Sequence, residues 1–534
     1  MFKPKRIFIQ TWLDLKPYKK QQPSDFFYLK LANDIKYKIA THSLGWDFMN
    51  KYSDDGINTL SCILASYLED LVSKSNIWNT FIRLNKELYD KPLPFYDCVD
   101  YVDEEINVED VAFLIWYYRS CFDDTIIVDA NKSMDTDLAA CIFDILEDAW
   151  EIAPENSELL TLFTINPDED YYLIRLRLSA FMMETYLFIP DSAAIFENNK
   201  EDIIEEHENN PHLAQLVQNE FDQFLFSTRT KLLALRINEW FANILGSEHP
   251  LYESILTISP KITGNFTITH KDSLFHYFEH IATKRTFPVI TTSLEGTSIE
   301  LKPGDVVFIS LIRWQQNWWF SGVLINHINK QDVIDRELKS QSTFSEFVFL
   351  DLEQFPEKIS EQLSLMNQAF LELTNGSNLV FMPHNKVEEF VSLFIEQHNQ
   401  NVTKGKPFKK DFNSDNFELS NLFEGEPDEI IAVFLNPKSG LEFGRDIQDA
   451  FPIPTNPFYN ENSDQTHNQT KIILYSDQFS VEFCHYLIEK CKHTNPFFQS
   501  ELGKTFLSNT DFLLRFYKGM DYATLPTITI GTYF

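Results

Sequence analysis

The sequence is poor in glycine and lacks the glycine-rich motifs that bind nucleotides or carry an esterase nucleophile. Only 15 of its 534 residues are glycine. The patterns G-x-G-x-x-G, G-x-x-x-x-G-K-[ST] and G-x-S-x-G are all absent. Nucleotide-dependent and esterase chemistry therefore have no support in the sequence.

Cysteine and long apolar runs are also scarce. The six cysteines are irregularly spaced and form no C-x-x-C pair, which is typical of buried thiols in a reducing compartment. No stretch approaches the ~18 apolar residues of a membrane span. The N-terminus lacks the apolar segment of a signal peptide. These absences predict a soluble cytoplasmic protein without a membrane partner.

Positive charge is almost missing from residues 97–226, which contain 31 Asp and Glu but only 5 Lys and Arg. This segment carries most of the formal net charge of −34. Nucleic acids bind proteins through positive charge, so the composition predicts no nucleic-acid partner. An anionic surface instead attracts a basic protein by long-range steering. We therefore expect a non-enzymatic, acidic protein that binds a protein partner.

Residues 1–40 have the opposite balance, with nine Lys and Arg against three Asp. This arm is expected to dock onto the acidic body, because opposite charge nearby lowers self-repulsion. Aromatic residues such as Trp12 and Tyr28 favour packing of the arm. The alternative is a basic tail for an anionic partner.

Apolar periodicity predicts a mainly helical α+β protein in three parts. Residues 1–265 are expected to form an all-helical domain, with a helical apolar stripe at Leu60, Ile63, Leu64, Tyr67, Leu68 and Leu71. Residues 266–375 are expected to form a β-hairpin or small barrel with flanking helices. Residues 376–534 are expected to form an α+β domain.

Turn and capping residues predict individual elements in the later parts of the chain. Asn210-Pro211 opens a long helix that ends at Gly246, and a further helix spans 356–374. Ser480 caps a helix that runs to Lys492. The segments Lys471–Tyr475 and Thr527–Ile530 are predicted to be strands.

A tryptophan-rich pair of strands gives the first candidate site. The segments Val306–Trp314 and Trp318–Ile325 flank a short turn and predict an antiparallel hairpin. Trp314, Trp318 and Trp319 are candidate binding residues for a proline-rich peptide, a sugar or a base. The alternative is that these rings pack in a core.

The segment His276-Tyr-Phe-Glu279-His280 matches the H-x-x-E-H pattern of inverted zinc peptidases. That chemistry needs two imidazoles one helical turn apart on a zinc ion, with Glu279 as the base. Glu353 or Glu357 would supply a third ligand. A zinc-dependent hydrolase is thus the alternative function, while no cofactor is expected otherwise. A helix whose His and Glu side chains face solvent is the alternative to a metal site, and it accounts for the same residues.

A run of acids lies at Asp100, Asp103, Glu104, Glu105, Glu109 and Asp110. Such a run could hold a hard cation, but it lacks the ligand spacing of a calcium loop. We interpret it as a solvated acidic face and the first turn of a helix that is capped by Asn107.

Several segments resemble an uncharacterised family of Bacteroidetes proteins known only as a domain of unknown function. The segments that carry the resemblance are Ile7–Tyr18, Glu87–Tyr96, Glu105–Trp116, Trp314–Gly322, Ser480–His485 and Asp511–Phe516. The resemblance covers nearly the full length and implies a stand-alone cytoplasmic bacterial protein. It implies no activity and no catalytic residues.

Overall fold

The chain folds into two compact units, Met1–Phe344 and Ser345–Phe534. The computed structural model describes residues 4–42, 51–122, 127–131, 133–208, 210–258, 261–295, 297, 299–339, 355–403, 426 and 429–522. These residues contain 19 α-helices and eight strands, so the predicted mainly helical α+β class is confirmed. The finer division at residues 265 and 375 stays a prediction.

Twelve α-helices precede the first strand. They are α1 (Ile9–Leu13), α2 (Asp25–Thr41), α3 (Asp54–Ser73), α4 (Ile77–Tyr89), α5 (Val108–Phe122), α6 (Ser133–Trp150), α7 (Ser157–Thr161), α8 (Tyr171–Glu184), α9 (Ala194–Glu206), α10 (Leu213–Ser227), α11 (Ile237–Leu245) and α12 (Tyr252–Leu256), counted over the described residues. The predicted apolar stripe from Leu60 to Leu71 is buried in α3. No helix in the described part of the chain is long and apolar enough to cross a membrane.

The single long helix predicted from residue 210 to Gly246 is wrong, because the chain breaks between α10 and α11. Leu233 and Ala234 adopt left-handed backbone angles at φ 60° and 53°. Both side chains are fully buried, and the Trp240 indole donates a hydrogen bond of 2.9 Å to Thr230 Oγ1 across the break. Tertiary burial of this apolar segment thus overrides its helical propensity. The predicted end at Gly246 is confirmed for α11.

A closed five-stranded barrel follows the helices. Its strands are β1 (Ile262–Lys271), β2 (Phe275–His280), β3 (Thr286–Ile290), β4 (Val306–Trp314) and β5 (Asn317–Asn326). Their order around the barrel is β1-β2-β3-β5-β4. All neighbours are antiparallel except β3 and β5, which are parallel. The predicted hairpin is β4–β5, and α13 (Lys330–Lys339) follows it.

The second unit combines a three-stranded antiparallel sheet with helices. Its elements are α14 (Phe355–Leu373), β6 (Leu379–Pro383), α15 (Val387–Thr403), β7 (Ile430–Asn436), β8 (Gly440–Arg445), α16 (Thr466–Tyr475), α17 (Val481–Cys491), α18 (Glu501–Ser508) and α19 (Thr510–Tyr517). The predicted cap is confirmed, because Ser480 Oγ accepts a hydrogen bond from the Phe483 amide.

The strand predicted at Lys471–Tyr475 is wrong, since these residues end helix α16. Thr470, Ile473 and Leu474 are fully buried, and their i, i+3, i+4 spacing is helical. A short apolar run fits either period, so its sequence alone could not decide. The strand predicted at Thr527–Ile530 lies outside the described residues.

The basic N-terminal arm docks onto the helical body, as its charge predicted. Lys16 is 2% exposed and pairs with Glu69, which is fully buried. Lys16 Nζ also donates to Ser66 Oγ at 2.7 Å, while Asn156 Nδ2 donates to Glu69 Oε1 at 2.7 Å. The carboxylate of Glu69 therefore has two partners that reach it from distant parts of the chain.

We expect Lys16→Ala to lower the free energy of unfolding by about 3–5 kcal/mol, because it leaves the Glu69 carboxylate buried without its cation. Urea denaturation followed by circular dichroism measures the change. Lys20→Ala, which removes an exposed cation from the same arm, is the control and should stay within about 0.5 kcal/mol of the parent. Equal effects of the two substitutions would contradict the account.

Candidate functional site

The H-x-x-E-H segment forms strand β2, so its predicted helical placement is wrong. His276 and His280 are buried on one face of the strand, whereas Glu279 lies half-exposed on the other. Strand alternation places positions i and i+4 on one face ~13 Å apart, against ~6 Å on a helix. The H-x-x-E-H spacing predicted a helix, although the segment alternates between buried and half-exposed residues with the period of two that is typical of a strand. Pairing of β2 with β1 and β3 stabilises the strand in place of the predicted helix.

The two imidazoles belong to the packed interior of the barrel. The His280 ring lies 5.4 Å from the Phe266 ring, and its Nδ1 is 2.9 Å from Thr283 Oγ1. Burial lowers the pKa of His280 to about 4 and also lowers the pKa of His276. The His280 ring is therefore neutral near pH 7.

The donor set for zinc does not come together at this segment. Glu279 pairs with Lys284 at 3.4 Å, on the face of β2 opposite the histidines. Glu353 lies outside the described residues. Glu357 lies in α14 of the other unit, and its side chain is not among those described. His276, Glu279 and His280 therefore do not converge on one metal position, and the described residues contain no group of three His, Cys, Asp or Glu that could hold a metal ion.

The three candidate tryptophans do not share one exposed surface. Trp314 is 2% exposed and Trp319 is 9% exposed. The Trp319 ring packs 6.0 Å from Tyr171 and 5.7 Å from Tyr172, both on α8. Trp318 is half-buried, with its ring 5.0 Å from that of Phe287. Trp314 and Trp319 therefore serve packing, and only Trp318 keeps substantial exposure.

The acidic run near α5 is only partly the solvated face that its sequence predicted. Asp100, Asp103, Glu104 and Glu105 are exposed, but Asp110 is fully buried. Asn107 does not cap the first turn through its side chain, since its Oδ1 accepts from the Val102 amide at 2.9 Å. This hydrogen bond instead stabilises the loop that precedes the helix.

Asp110 is a buried carboxyl held by hydroxyl and amide donors. Tyr67 Oη donates to it at 2.5 Å, Tyr101 Oη at 2.9 Å and Asn107 Nδ2 at 3.4 Å. Burial raises the pKa of Asp110 to about 7, and these donors offset part of the rise. The group is thus a structural carboxyl that titrates near neutral pH.

An acidic face on α6 stands out among the described elements. Asp137, Asp144, Glu147, Asp148 and Glu151 are exposed and lie on one side of this helix and its end. Residues 133–174 contain 11 Asp and Glu and no Lys, Arg or His. None of the five carboxylates has a cationic partner among the described residues. The face therefore presents uncompensated negative charge to solvent.

An open cleft of about 800 Å³ lies along α4. Four of its charged groups form two pairs: Arg83 Nη1 lies 2.7 Å from Glu87 Oε1, and Lys86 Nζ lies 2.5 Å from Asp103 Oδ1. Glu104 also lines the cleft. Its other polar lining consists of three carboxamides and three hydroxyl groups, from Asn76, Asn79, Asn243, Thr80, Ser247 and Tyr252. Such a lining supplies hydrogen-bond donors and acceptors.

The sequence reasoning missed a buried polar cluster on α10. Asn219 and Asp222 are buried together with Leu225 and Phe226, so they lie within the stripe that faces the protein interior. The available signal was the i, i+3, i+6 spacing of two polar residues with Leu225.

Family comparison agrees with the resemblance seen in the sequence. The family model described as protein of unknown function (DUF3843) matches residues 6–274, half of the chain. The chain belongs to this family. No curated protein and no solved structure matches the chain. The matched region spans α1 to β1 and includes the Asp110 carboxyl, the α6 face and the buried residues of α10.

The buried carboxyl of Asp110 predicts a pH dependence of stability. Its folded pKa of about 7 lies above an unfolded value of about 3.9, so the folded state holds the proton more tightly. The resulting stabilisation is complete below about pH 4 and is lost as the pH rises through about 7. Asp110→Asn should make the free energy of unfolding less dependent on pH between 5 and 8, as measured by urea denaturation.

Glu105→Gln is the matched control, because this carboxyl lies exposed in the loop that precedes α5. It should keep the pH dependence of the parent protein. If Asp110→Asn also kept that dependence, the carboxyl would not titrate in the folded state as the burial implies.

Proposed function

We propose that this protein is a non-catalytic, cytoplasmic bacterial protein of the Bacteroidetes that binds a basic protein partner through the acidic face of α6. The observation that carries the proposal is the row of five exposed carboxylates, none of which has a cationic partner within the described part of the chain. A protein partner with a positive patch would neutralise this row on binding. Nucleic acid is disfavoured as a partner, because its phosphates carry the same sign of charge.

The acidic face costs folding stability. Asp144 and Asp148 are spaced i, i+4 on the helix, an arrangement of like charges that destabilises it by a few tenths of a kcal/mol. Glu147, Asp148 and Glu151 also lie at the C-terminal end of α6, where the helix dipole disfavours negative charge. This arrangement of charges does not stabilise the fold, whereas it would stabilise a complex with a cationic partner.

An exposed apolar residue adjoins the acidic row. Ile152 follows the end of α6 and is 71% exposed. Partly exposed aromatic side chains, Phe143 and Trp150, lie on the same helix. Protein interfaces combine an apolar anchor with a polar rim, and this region supplies both. Long-range attraction would raise the association rate, and the anchor would slow dissociation.

The alternative of a zinc-dependent hydrolase receives no support from the arrangement of His276, Glu279 and His280. The two histidines are buried in the barrel, and the glutamate lies on the other face of its strand. The proposal therefore assigns the protein no cofactor and no catalytic residue.

The test compares the parent chain with the triple variant Asp144→Asn, Glu147→Gln and Asp148→Asn. Affinity capture at low salt, read out by quantitative mass spectrometry, should recover a basic protein with the parent. The triple variant should lose at least about 90% of that protein, since neutralising the face removes the attraction. Its helical content should not fall, because like charges have been removed.

The control variant carries Glu201→Gln, Asp202→Asn and Glu205→Gln on α9, which removes the same number of exposed charges elsewhere. It should capture the basic protein as the parent does. The proposal fails if no basic protein is captured at low salt, or if both variants lose it equally. The second result would indicate an effect of net charge alone.

A further inference from the structure

The barrel has the strand order of the oligonucleotide- and oligosaccharide-binding fold. A closed order of β1-β2-β3-β5-β4, with β3 parallel to β5, is the arrangement of this five-stranded Greek-key barrel. Barrels of this kind bind chains of sugars or bases on the outer face of strands 2 and 3, beside the loop between strands 1 and 2. The topology indicates where to look, and the side chains must decide what binds there.

The outer face of β2 is formed by the residues that alternate with the buried histidines. Phe275 and Tyr277 are half-exposed there, while Phe278 points into the barrel with the histidines. Strand register places His270 of β1, Tyr277 of β2 and Pro288 of β3 in one row across three strands. We call these three residues and Phe275 the outer ring row.

The rings of this row are already ordered. The His270 and Tyr277 rings stack with centroids 4.0 Å apart and planes 11° apart, and the Phe275 ring lies 6.3 Å from that of Tyr277. The Tyr277 hydroxyl donates to Asp272 Oδ2 at 2.9 Å. The other Asp272 oxygen accepts from the Leu274 and Phe275 amides, each at 2.8 Å, which fixes the β1–β2 turn. Because this surface is ordered in advance, a ligand loses less entropy on binding.

The row lies on the exposed side of the barrel. Strands β4 and β5 contact α10, where Ser310 and Ser321 bond to Asn219 and Asp222. In contrast, His270 of the row and the adjacent Lys271 are exposed, and Leu274 at the turn is 64% exposed. Packing within the fold thus does not account for the aromatic content of this face.

The charge of the barrel distinguishes between the two classes of ligand, oligonucleotides and oligosaccharides, that such a barrel binds. Residues 262–326 contain five Lys and Arg and five Asp and Glu, so the barrel is formally neutral. It belongs to a chain with a formal net charge of −34, which repels polyanions. Single-stranded nucleic acid needs a positive groove as well as stacking rings. A neutral oligosaccharide needs the rings and a few polar groups, and this face has both.

We propose that the outer ring row binds a neutral oligosaccharide. The apolar faces of sugar rings pack on Tyr277 and Phe275, and the exposed Lys271 and Asp272 lie within the same turn to meet hydroxyl groups. The site is separate from the acidic face of α6, so it does not depend on the protein partner proposed above.

The test uses isothermal titration calorimetry of the full chain with cellohexaose, chitohexaose, xylohexaose and maltohexaose. At least one should bind the parent protein, and Tyr277→Ala should weaken that binding about tenfold or more through loss of a ring surface. Phe26→Ala, which removes a 63% exposed ring from α2, should leave it unchanged. The neutralised α6 variant should bind like the parent, which separates this proposal from the other.

A second measurement does not rely on a substitution. Hydrogen exchange of the parent protein should slow in residues 270–290 when the bound sugar is added. Absence of binding to all four sugars, binding that survives Tyr277→Ala, or protection located elsewhere would each overturn the proposal. So would tight binding of a single-stranded oligothymidine or oligouridine at this face, because that would show that the ring row selects bases.

Discussion

The first unit depends on the buried carboxylate of Asp222. This fully buried group accepts hydrogen bonds from Arg175 Nε at 2.8 Å and from Ser321 Oγ at 2.8 Å. It therefore joins α10 to α8 and to strand β5. Asn219, one turn earlier, accepts from Lys261 Nζ at 2.7 Å and from Ser310 Oγ at 2.6 Å. Burial lowers the pKa of Lys261 to about 8, and the nearby Asp222 offsets part of that fall. Polar groups buried in this way stabilise a structure only when their partners are in place.

This polar contact determines which side of the barrel is covered. Gly322 of β5 has φ +96°, and a Cβ there would lie 3.4 Å from the Asn219 Cα. The glycine thus allows both the left-handed backbone and the close approach of α10. With β4 and β5 covered by helices, the outer faces of β2 and β3 remain on the exposed side. One interface, between the helices and strands β4 and β5, accounts for both the burial of Trp319 and the exposure of Tyr277.

Predictions from the sequence were correct where the structure of a segment is determined by residues within that same segment. The stripe in α3 and the β4–β5 hairpin depend on periodicity within one segment, so both were predicted correctly. The H-x-x-E-H segment fits a helix and a strand equally well, and pairing with β1 and β3 decided for the strand. The partners of Asp222 lie about 47 and 99 residues away along the chain, and the residue composition does not indicate such distant contacts. The burial of Asp110 had the same cause, since Tyr67 reaches it from another helix. The uneven charge was visible at once, but which carboxylates stay unpaired is a property of the folded chain.

Hydrogen exchange of the variant Asp222→Ala tests most directly whether this carboxylate joins the barrel to the helices. We expect amide exchange to quicken in α10 and also in β4 and β5, because removal of the acceptor leaves Arg175 and Ser321 without their shared partner. Faster exchange confined to α10, with β4 and β5 protected as in the parent protein, would contradict the account.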